Sequence, residues 1–181
     1  MAFAGNVDEL ALLQAVRLKE QVGVGVLADH LGVSAASGQA AYQALVEQGK
    51  AAESDGKISL TDKGLAELED QLDAERVSID EDSIGEVYEQ FTALDEEFLA
   101  LIDTADADSL AALDSRATDV FDDVSAFVPR LSRYQELFSI ALRKAQAGES
   151  EWISASGVDS YATVWSEIRR ELRGAAGKDD N

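Results

Sequence analysis

The sequence predicts a mainly α-helical protein with one small β-hairpin, and three observations support this fold class. Apolar residues recur at helical spacing along most of the 181 residues, which is typical of helices that bury one face. The dipeptide Asp55-Gly56 lies between two short strand-like runs, a strong signal for a hairpin turn. Beyond residue 80, four long amphipathic patterns follow one another with short breaks, which predicts an all-helical segment.

Residues 24–63 predict two short helices joined by a tight turn. The first helix carries four apolar residues at helical spacing, Val24, Leu27, Ala28 and Leu31. Gly32 ends it where a left-handed backbone is needed, and Ser34 then acts as the N-cap of the second helix. The apolar face of the second helix consists of Ala41, Leu45 and Val46. Two helices in this arrangement form a helix-turn-helix pattern.

The predicted hairpin follows the second helix directly. Its strands are expected over Ala51–Glu53 and Lys57–Thr61. A helix-turn-helix followed by a hairpin is a winged helix, so we predict a winged helix-turn-helix domain over residues 6–76 with the hairpin as its wing.

Local signals mark further helix ends in this first domain. Asn6 and Glu9 have the spacing of a capping box for the first helix. Thr61 or Asp62 is expected to cap the last helix of the domain, which runs to about Arg76.

An acidic all-helical domain of four helices is predicted over residues 80–175, for dimerisation or for docking a partner. A hinge is expected near Val77–Asp82, and Ser83 and Glu86 have the spacing of a capping box for the helix that follows. Its aromatic residues Tyr134, Phe138, Tyr161 and Trp165 are interpreted as core rather than as a ligand cage.

Two features divide the helices of this second domain. The acidic cluster Asp103–Asp108 breaks the first pattern, and we interpret it as helix capping rather than as a calcium loop. An EF-hand loop would need alternating ligands, a central glycine and a closing glutamate. Pro129, the only proline, is expected to end the next helix because it lacks the backbone N–H that a helix requires.

The composition is strongly acidic, with 36 Asp and Glu against 15 Lys and Arg and a formal net charge of −21. Residues 80–123 hold 15 of the acids and a single basic residue, Arg116. Such a charge repels DNA phosphates. It is interpreted either as an adaptation for solubility at high salt or as a docking face for a basic partner.

The residue types favour binding over catalysis. The chain has one histidine, His30, and no cysteine, which removes most nucleophilic and metal sites. We therefore expect no enzymatic activity, no catalytic residues, no cofactor and no metal. The N-terminus resembles no signal peptide and no apolar run is long enough to span a bilayer, so we expect a cytoplasmic protein without a membrane partner.

The residues just after the Ser34 cap are the ones that face the major groove in a winged helix. The predicted DNA-contacting residues are Ser34, Ser37, Gln39, Gln43, Lys50 and Lys57. Glutamine can read adenine through a bidentate pair, serine can pair with several bases, and the lysines are expected to contact phosphates. Gly38 lies inside the same helix, where glycine costs up to ~1 kcal/mol relative to alanine.

Two sets of motifs resemble a known family. The segments LADHLGVS and ALVEQGKAAESDGKISLTDKGLAEL resemble the winged helix of MarR-type bacterial transcription regulators. The segments VYEQFTALDEEFLALI, FVPRLSRYQELFSIALRKAQAGE and VDSYATVWSEIRREL resemble the C-terminal half of actinobacterial MarR-like proteins. The chain departs from that pattern at Asp95, where the family usually has asparagine, and at Ala162 and Arg170, near its usual histidines.

The resemblance implies a homodimeric transcription regulator that binds double-stranded DNA. The charge supports an alternative, in which a repurposed winged helix serves as a protein-interaction module and the acidic helices dock a basic protein partner. Both interpretations stay open on the sequence.

Overall fold

The computed structural model of the chain describes residues 2–178. They form a mainly helical structure with a small antiparallel sheet of three strands, in agreement with the predicted mainly α class. The chain divides into two compact units, Met1–Ser78 (unit 1) and Ile79–Asn181 (unit 2). No helix in the described part of the chain combines the length and apolarity needed to cross a bilayer.

Unit 1 contains four helices and three strands within its described residues. The helices are α1 (Glu9–Lys19), α2 (Val24–Leu31), α3 (Ala35–Glu47) and α4 (Asp62–Val77). The strands are β1 (Val22–Gly23), β2 (Ala51–Ser54) and β3 (Lys57–Leu60), and β3 lies in the centre of the sheet.

The predicted hairpin is confirmed. Strands β2 and β3 pair antiparallel, with Ala51 opposite Leu60 and Ser54 opposite Lys57. Asp55 and Gly56 form the turn with φ of 53° and 74°, the positive values that a type I′ turn requires. The third strand, β1, was not predicted, because two residues carry no periodicity and only their pairing with β3 makes them a strand.

Most helix ends of unit 1 follow the local signals. Gly32 adopts the left-handed conformation at φ 67° and closes α2, and Ser34 caps α3 by accepting a bond from the Ser37 amide. Thr61 caps α4 through the Gly64 amide. The predicted box at Asn6 is wrong: Asp8 caps α1 instead, accepting from the Ala11 amide at 2.7 Å.

Unit 2 contains four long helices and one short one, and residues 79–178 hold no strand. The helices are α5 (Glu81–Leu101), α6 (Ala107–Phe127), α7 (Arg133–Gln146), α8 (Glu151–Ser154) and α9 (Tyr161–Ala175). As predicted, α6 ends just before Pro129, which begins a short 3₁₀ turn.

The helix caps of unit 2 follow the prediction at α6 but not at α5. Helix α5 begins at Glu81 and is capped by Asp80, whose carboxylate accepts the Ser83 amide at 3.0 Å. The predicted box starting at Ser83 is therefore wrong, because Asp80, an equally good N-cap residue, lies three residues before it and starts the helix earlier. In the Asp103–Asp108 cluster, Asp106 and Ser109 form a reciprocal capping box at the start of α6, as the capping interpretation predicted.

Each unit has its own apolar core. In unit 1 the fully buried side chains include Leu12, Leu13, Leu27, Leu45, Ile58 and Leu68. In unit 2 the core is aromatic: Trp165 is fully buried and stacks on Phe98, with ring centroids 4.7 Å apart. The predicted aromatic stripe is thus core, and it packs with Phe91, Phe98 and Phe121.

Candidate nucleic-acid interface

Helix α3 and its N-cap carry four of the six predicted contact residues, and unit 1 holds the helix firmly at its N-terminal end. The Ser34 cap orders its first turn. Gly38 faces α2, where a Cβ added to it would lie 2.6 Å from the Cβ of Ala28. The two helices therefore approach more closely than any side chain at position 38 would allow, which explains a glycine inside a helix.

The C-terminal end of α3 is anchored by the start of α4. The Thr61 hydroxyl donates to the Gly49 carbonyl at 2.7 Å, and the Thr61 amide donates to the Lys50 carbonyl at 3.0 Å. A Cβ added to Gly64 would lie 2.0 Å from that same carbonyl oxygen. Helix α3 and the hairpin are thus joined by a tightly packed turn.

The outer face of α3 is open to solvent and is uncharged up to Val46, before the exposed Glu47 that ends the helix. Ala35, Ala36, Gln39 and Gln43 are exposed. Residues 30–46 contain no Asp, Glu, Lys or Arg, in a chain with 51 such residues among 181. Gln39 and Gln43 form no side-chain hydrogen bond with any described residue, so both amides are available to a partner.

The two predicted serines lie at the start of this face but are already bonded. The Ser34 hydroxyl accepts the Ser37 amide at 3.1 Å and donates to the Ser37 hydroxyl at 3.0 Å. Ser34 is exposed and Ser37 is half-buried. Their main role in this structure is to cap α3, which positions the glutamines one and two turns later.

Lys50 does not suit the predicted role of a phosphate contact. Its ammonium forms a salt bridge with Glu9, and the Lys50 side chain is only 11% exposed. The same nitrogen lies 3.9 Å from Glu67 and 5.7 Å from the centroid of the Phe3 ring. Its charge is neutralised within unit 1, where it ties the start of β2 to α1, so Lys50 contributes little attraction to DNA phosphates.

Lys57 is the predicted cation that remains accessible. It is exposed at the start of β3, next to the hairpin turn. Within residues 2–178 it forms no salt bridge, so its ammonium can contact a phosphate. Lys63, the other exposed lysine nearby in sequence, donates to the Gln48 carbonyl at 2.7 Å.

A cleft of about 290 Å³ opens between α3 and β2, beside the uncharged face. It is lined by Gln39, Tyr42, Gln43, Val46, Glu47 and Glu53. Tyr42 is buried, and this burial, together with a hydrogen bond to Glu53 and the charge of that carboxylate, raises the pKa of the Tyr42 hydroxyl. Tyr42 therefore stays protonated at neutral pH.

The two glutamates of this cleft were not predicted as site residues. Glu47 ends α3 and Glu53 lies on β2, so only the packing of strand against helix brings them to one cleft. No local sequence signal marks them, because exposed acids occur throughout this chain.

Unit 2 carries the second candidate surface, the acidic faces of α5 and α6. Their exposed acids are Glu81, Asp82, Glu86, Glu89, Glu96, Glu97, Asp108, Asp119, Asp122 and Asp123. Within residues 80–123 the only basic residue is Arg116, which pairs with Glu97. These faces therefore keep most of their negative charge uncompensated.

Comparison with known proteins identifies no relative: no family model, no curated protein and no solved structure matches this chain.

Proposed function

We propose that this protein is a DNA-binding transcription regulator of the MarR-like type, which acts as a homodimer. In this proposal unit 1 is a winged helix-turn-helix domain, with α3 as the recognition helix and the β2–β3 hairpin as the wing. Unit 2 provides the subunit interface. The resemblance of the sequence motifs supports this assignment, together with the arrangement of α2, α3 and the hairpin.

One observation supports DNA binding above the others: from Ala35 to Val46 helix α3 carries no charged residue, and its one charged residue is Glu47 at the C-terminal end. A helix that enters the major groove comes close to two rows of phosphates, and acidic side chains on it would be repelled. This chain is otherwise strongly acidic, yet its 17 residues from 30 to 46 carry no acid. The two free glutamine amides on that face have the hydrogen-bonding groups that read adenine.

The proposed contacts divide between base readout and phosphate binding. Gln39 and Gln43 read base edges, while Lys57 of the hairpin contacts a phosphate. Because Lys50 is paired inside unit 1, a dimer has about two phosphate-binding lysines, and the logarithm of the binding constant should fall with the logarithm of salt with a slope of about −2. This slope is shallow for a DNA-binding protein, so binding is weakly sensitive to salt.

The test is fluorescence anisotropy with the DNA upstream of the protein's own gene, from low to physiological salt. Lys57→Glu should weaken binding to all sequences alike, because it removes a phosphate contact. Gln39→Ala should cost about 1–3 kcal/mol at one base position only. The control for Lys57→Glu is Lys63→Glu, which makes the same charge change at a lysine bonded to the Gln48 carbonyl. The control for Gln39→Ala is Gln90→Ala, which removes an exposed glutamine of α5. Both control variants should bind DNA as tightly as the parent protein.

The acidic faces of α5 and α6 favour a second candidate function, the docking of a basic protein partner. Strongly acidic faces of this kind attract a basic partner and speed its association at low salt. A folded dimer that binds no DNA at low salt, neither the upstream region nor any sequence selected from a random duplex library, would favour this second function.

A further inference from the structure

The cleft between α3 and β2 has a lining that suits a cation. Its charged residues are Glu47 and Glu53, and neither a lysine nor an arginine lines it. Gln39 and Gln43 add two side-chain carbonyls that accept hydrogen bonds.

The cleft also has an apolar part and a definite size. Val46 is half-buried and Tyr42 is buried, so an isopropyl group and an aromatic ring border the acidic pair. The volume of about 290 Å³ is at the lower limit of small-molecule sites in proteins. A bare metal ion would fill little of this space.

We propose that this cleft binds a small organic cation with an alkyl-guanidinium group. The planar guanidinium has five donors and pairs well with carboxylates, so Glu47 and Glu53 would hold it by charge-assisted hydrogen bonds. The alkyl chain would lie on Val46 and on the Tyr42 ring. The glutamine carbonyls would accept the remaining donors.

Occupation of the cleft has a consequence that rests on the proposed function. Gln39 and Gln43 are both lining residues of the cleft and the proposed base readers. A cation bound there covers the amides that DNA needs, so the ligand and DNA compete for the same two side chains.

The binding test uses the full chain without DNA and n-butylguanidinium as the probe. Two-dimensional NMR of ¹⁵N-labelled protein should show shifts at the side-chain amides of Gln39 and Gln43, with a dissociation constant on the order of 1 mM. n-Butylammonium should bind more weakly because it lacks the planar guanidinium group that donates two parallel hydrogen bonds to a carboxylate. Butyrate is an anion and should not bind.

Charge-neutralising variants locate the site. Glu47→Gln and Glu53→Gln should each weaken n-butylguanidinium binding by about five-fold or more, while Glu69→Gln, an exposed residue of α4 outside the cleft, should leave it unchanged. Thermal unfolding of each variant verifies folding. Absence of binding at tens of millimolar probe, or equal binding by all three variants, would overturn the proposal.

A second measurement separates this inference from the proposed function. n-Butylguanidinium should displace DNA from the parent protein but not from Glu47→Gln/Glu53→Gln at the same ionic strength. If the NMR titration shows n-butylguanidinium binding and the protein binds no DNA, the cation site is supported and the proposal of a DNA-binding regulator is contradicted. If both ligands bind without displacing each other, the overlap at Gln39 and Gln43 is wrong.

Discussion

Gly38 shows at the scale of one residue how packing outweighs helix propensity. Glycine weakens a helix interior by up to ~1 kcal/mol relative to alanine, so propensity alone would favour alanine at this position. The structure places the site of its missing Cβ only 2.6 Å from the Cβ of Ala28. Close approach of α2 and α3 therefore requires the smallest residue at position 38.

We expect Gly38→Ala to destabilise the protein by about 1–3 kcal/mol, despite the gain in propensity, because the added methyl overpacks the contact between α2 and α3. Urea unfolding followed by circular dichroism measures this change. Ala28→Gly in the same chain should recover much of the loss, since it removes the opposing methyl. A stabilised Gly38→Ala single variant would contradict the close contact.

Asp95 is the second residue whose role the structure explains. Its carboxylate accepts from the Trp165 indole nitrogen at 2.8 Å and from Arg169 Nε at 2.7 Å. The Asp95 side chain is 17% exposed and that of Arg169 is 24% exposed. Asp95 therefore joins the buried tryptophan to an arginine one turn later on α9.

Asp95→Asn should cost about 1–3 kcal/mol at neutral pH, because an amide can still accept from Trp165 but leaves the arginine without its counter-charge. Urea unfolding gives the value. A double-mutant cycle of Asp95→Asn, Arg169→Gln and the double variant measures the interaction between the two side chains. The double variant should lose less stability than the sum of the losses of the two single variants. Simple additivity would show that the two side chains do not interact.

At the scale of elements, the sequence predicts some helix caps correctly and misplaces others by two or three residues. Ser34 and Thr61 cap the helices that their positions predict. At α1 the cap is Asp8 and not the predicted Asn6, and at α5 it is Asp80 and not the predicted Ser83. In both cases the residue that caps the helix is an aspartate, whose carboxylate also interacts favourably with the positive end of the helix dipole.

The cap of α6 gives a prediction about pH. Hydrogen bonds from the Ser109 backbone and side chain lower the pKa of Asp106 below its ordinary value of 3.8. Its carboxylate therefore stabilises the folded state fully above pH 3.8, and this stabilisation is lost as the pH falls through the lower folded pKa. Asp106→Asn keeps a capping oxygen without a titrating charge.

The stability difference between the parent and Asp106→Asn should accordingly be largest near neutral pH and should shrink on acidification. Urea unfolding of both proteins between pH 2 and pH 7 measures this difference. The other titrating groups are the same in the two proteins, so their contributions cancel in the comparison. A difference that stays constant over this range would mean that the Asp106 charge does not contribute to the cap.

At the scale of the whole molecule, charge is distributed unevenly between the two units. Unit 1 has 13 acidic and 6 basic residues, and unit 2 has 23 acidic and 9 basic residues. Subunits with this composition repel each other, so a stable dimer must bury apolar or neutral surface and keep the acidic faces of α5 and α6 in solvent.

We expect a homodimer at tens of micromolar protein, measured by light scattering after size-exclusion chromatography. Association should become tighter as salt is raised, because salt screens the repulsion between the acidic subunits. Glu89→Lys on the outer side of α5 should leave dimerisation intact. A monomer under all these conditions would contradict the prediction and would also remove a main support for DNA binding.

The sequence by itself determined the local features of this protein. Periodic apolar residues predicted the long helices, and Asp55-Gly56 predicted the hairpin, because both depend on neighbours within a few residues. It also predicted where the glutamines of α3 occur, since their spacing after the Ser34 cap fixes their place on the helix. Ser34 and Gly32 took the roles that their residue types predicted.

Only the tertiary structure decided which of these side chains are free to act. Lys50 pairs with Glu9, 41 positions away in sequence, and so loses its predicted role. Glu53 reaches the cleft beside Gln39 because β2 packs against α3. Strand β1 exists only through its pairing with β3. Such contacts join residues distant in sequence, and no local pattern encodes them, because they form when the chain packs and buries its apolar faces.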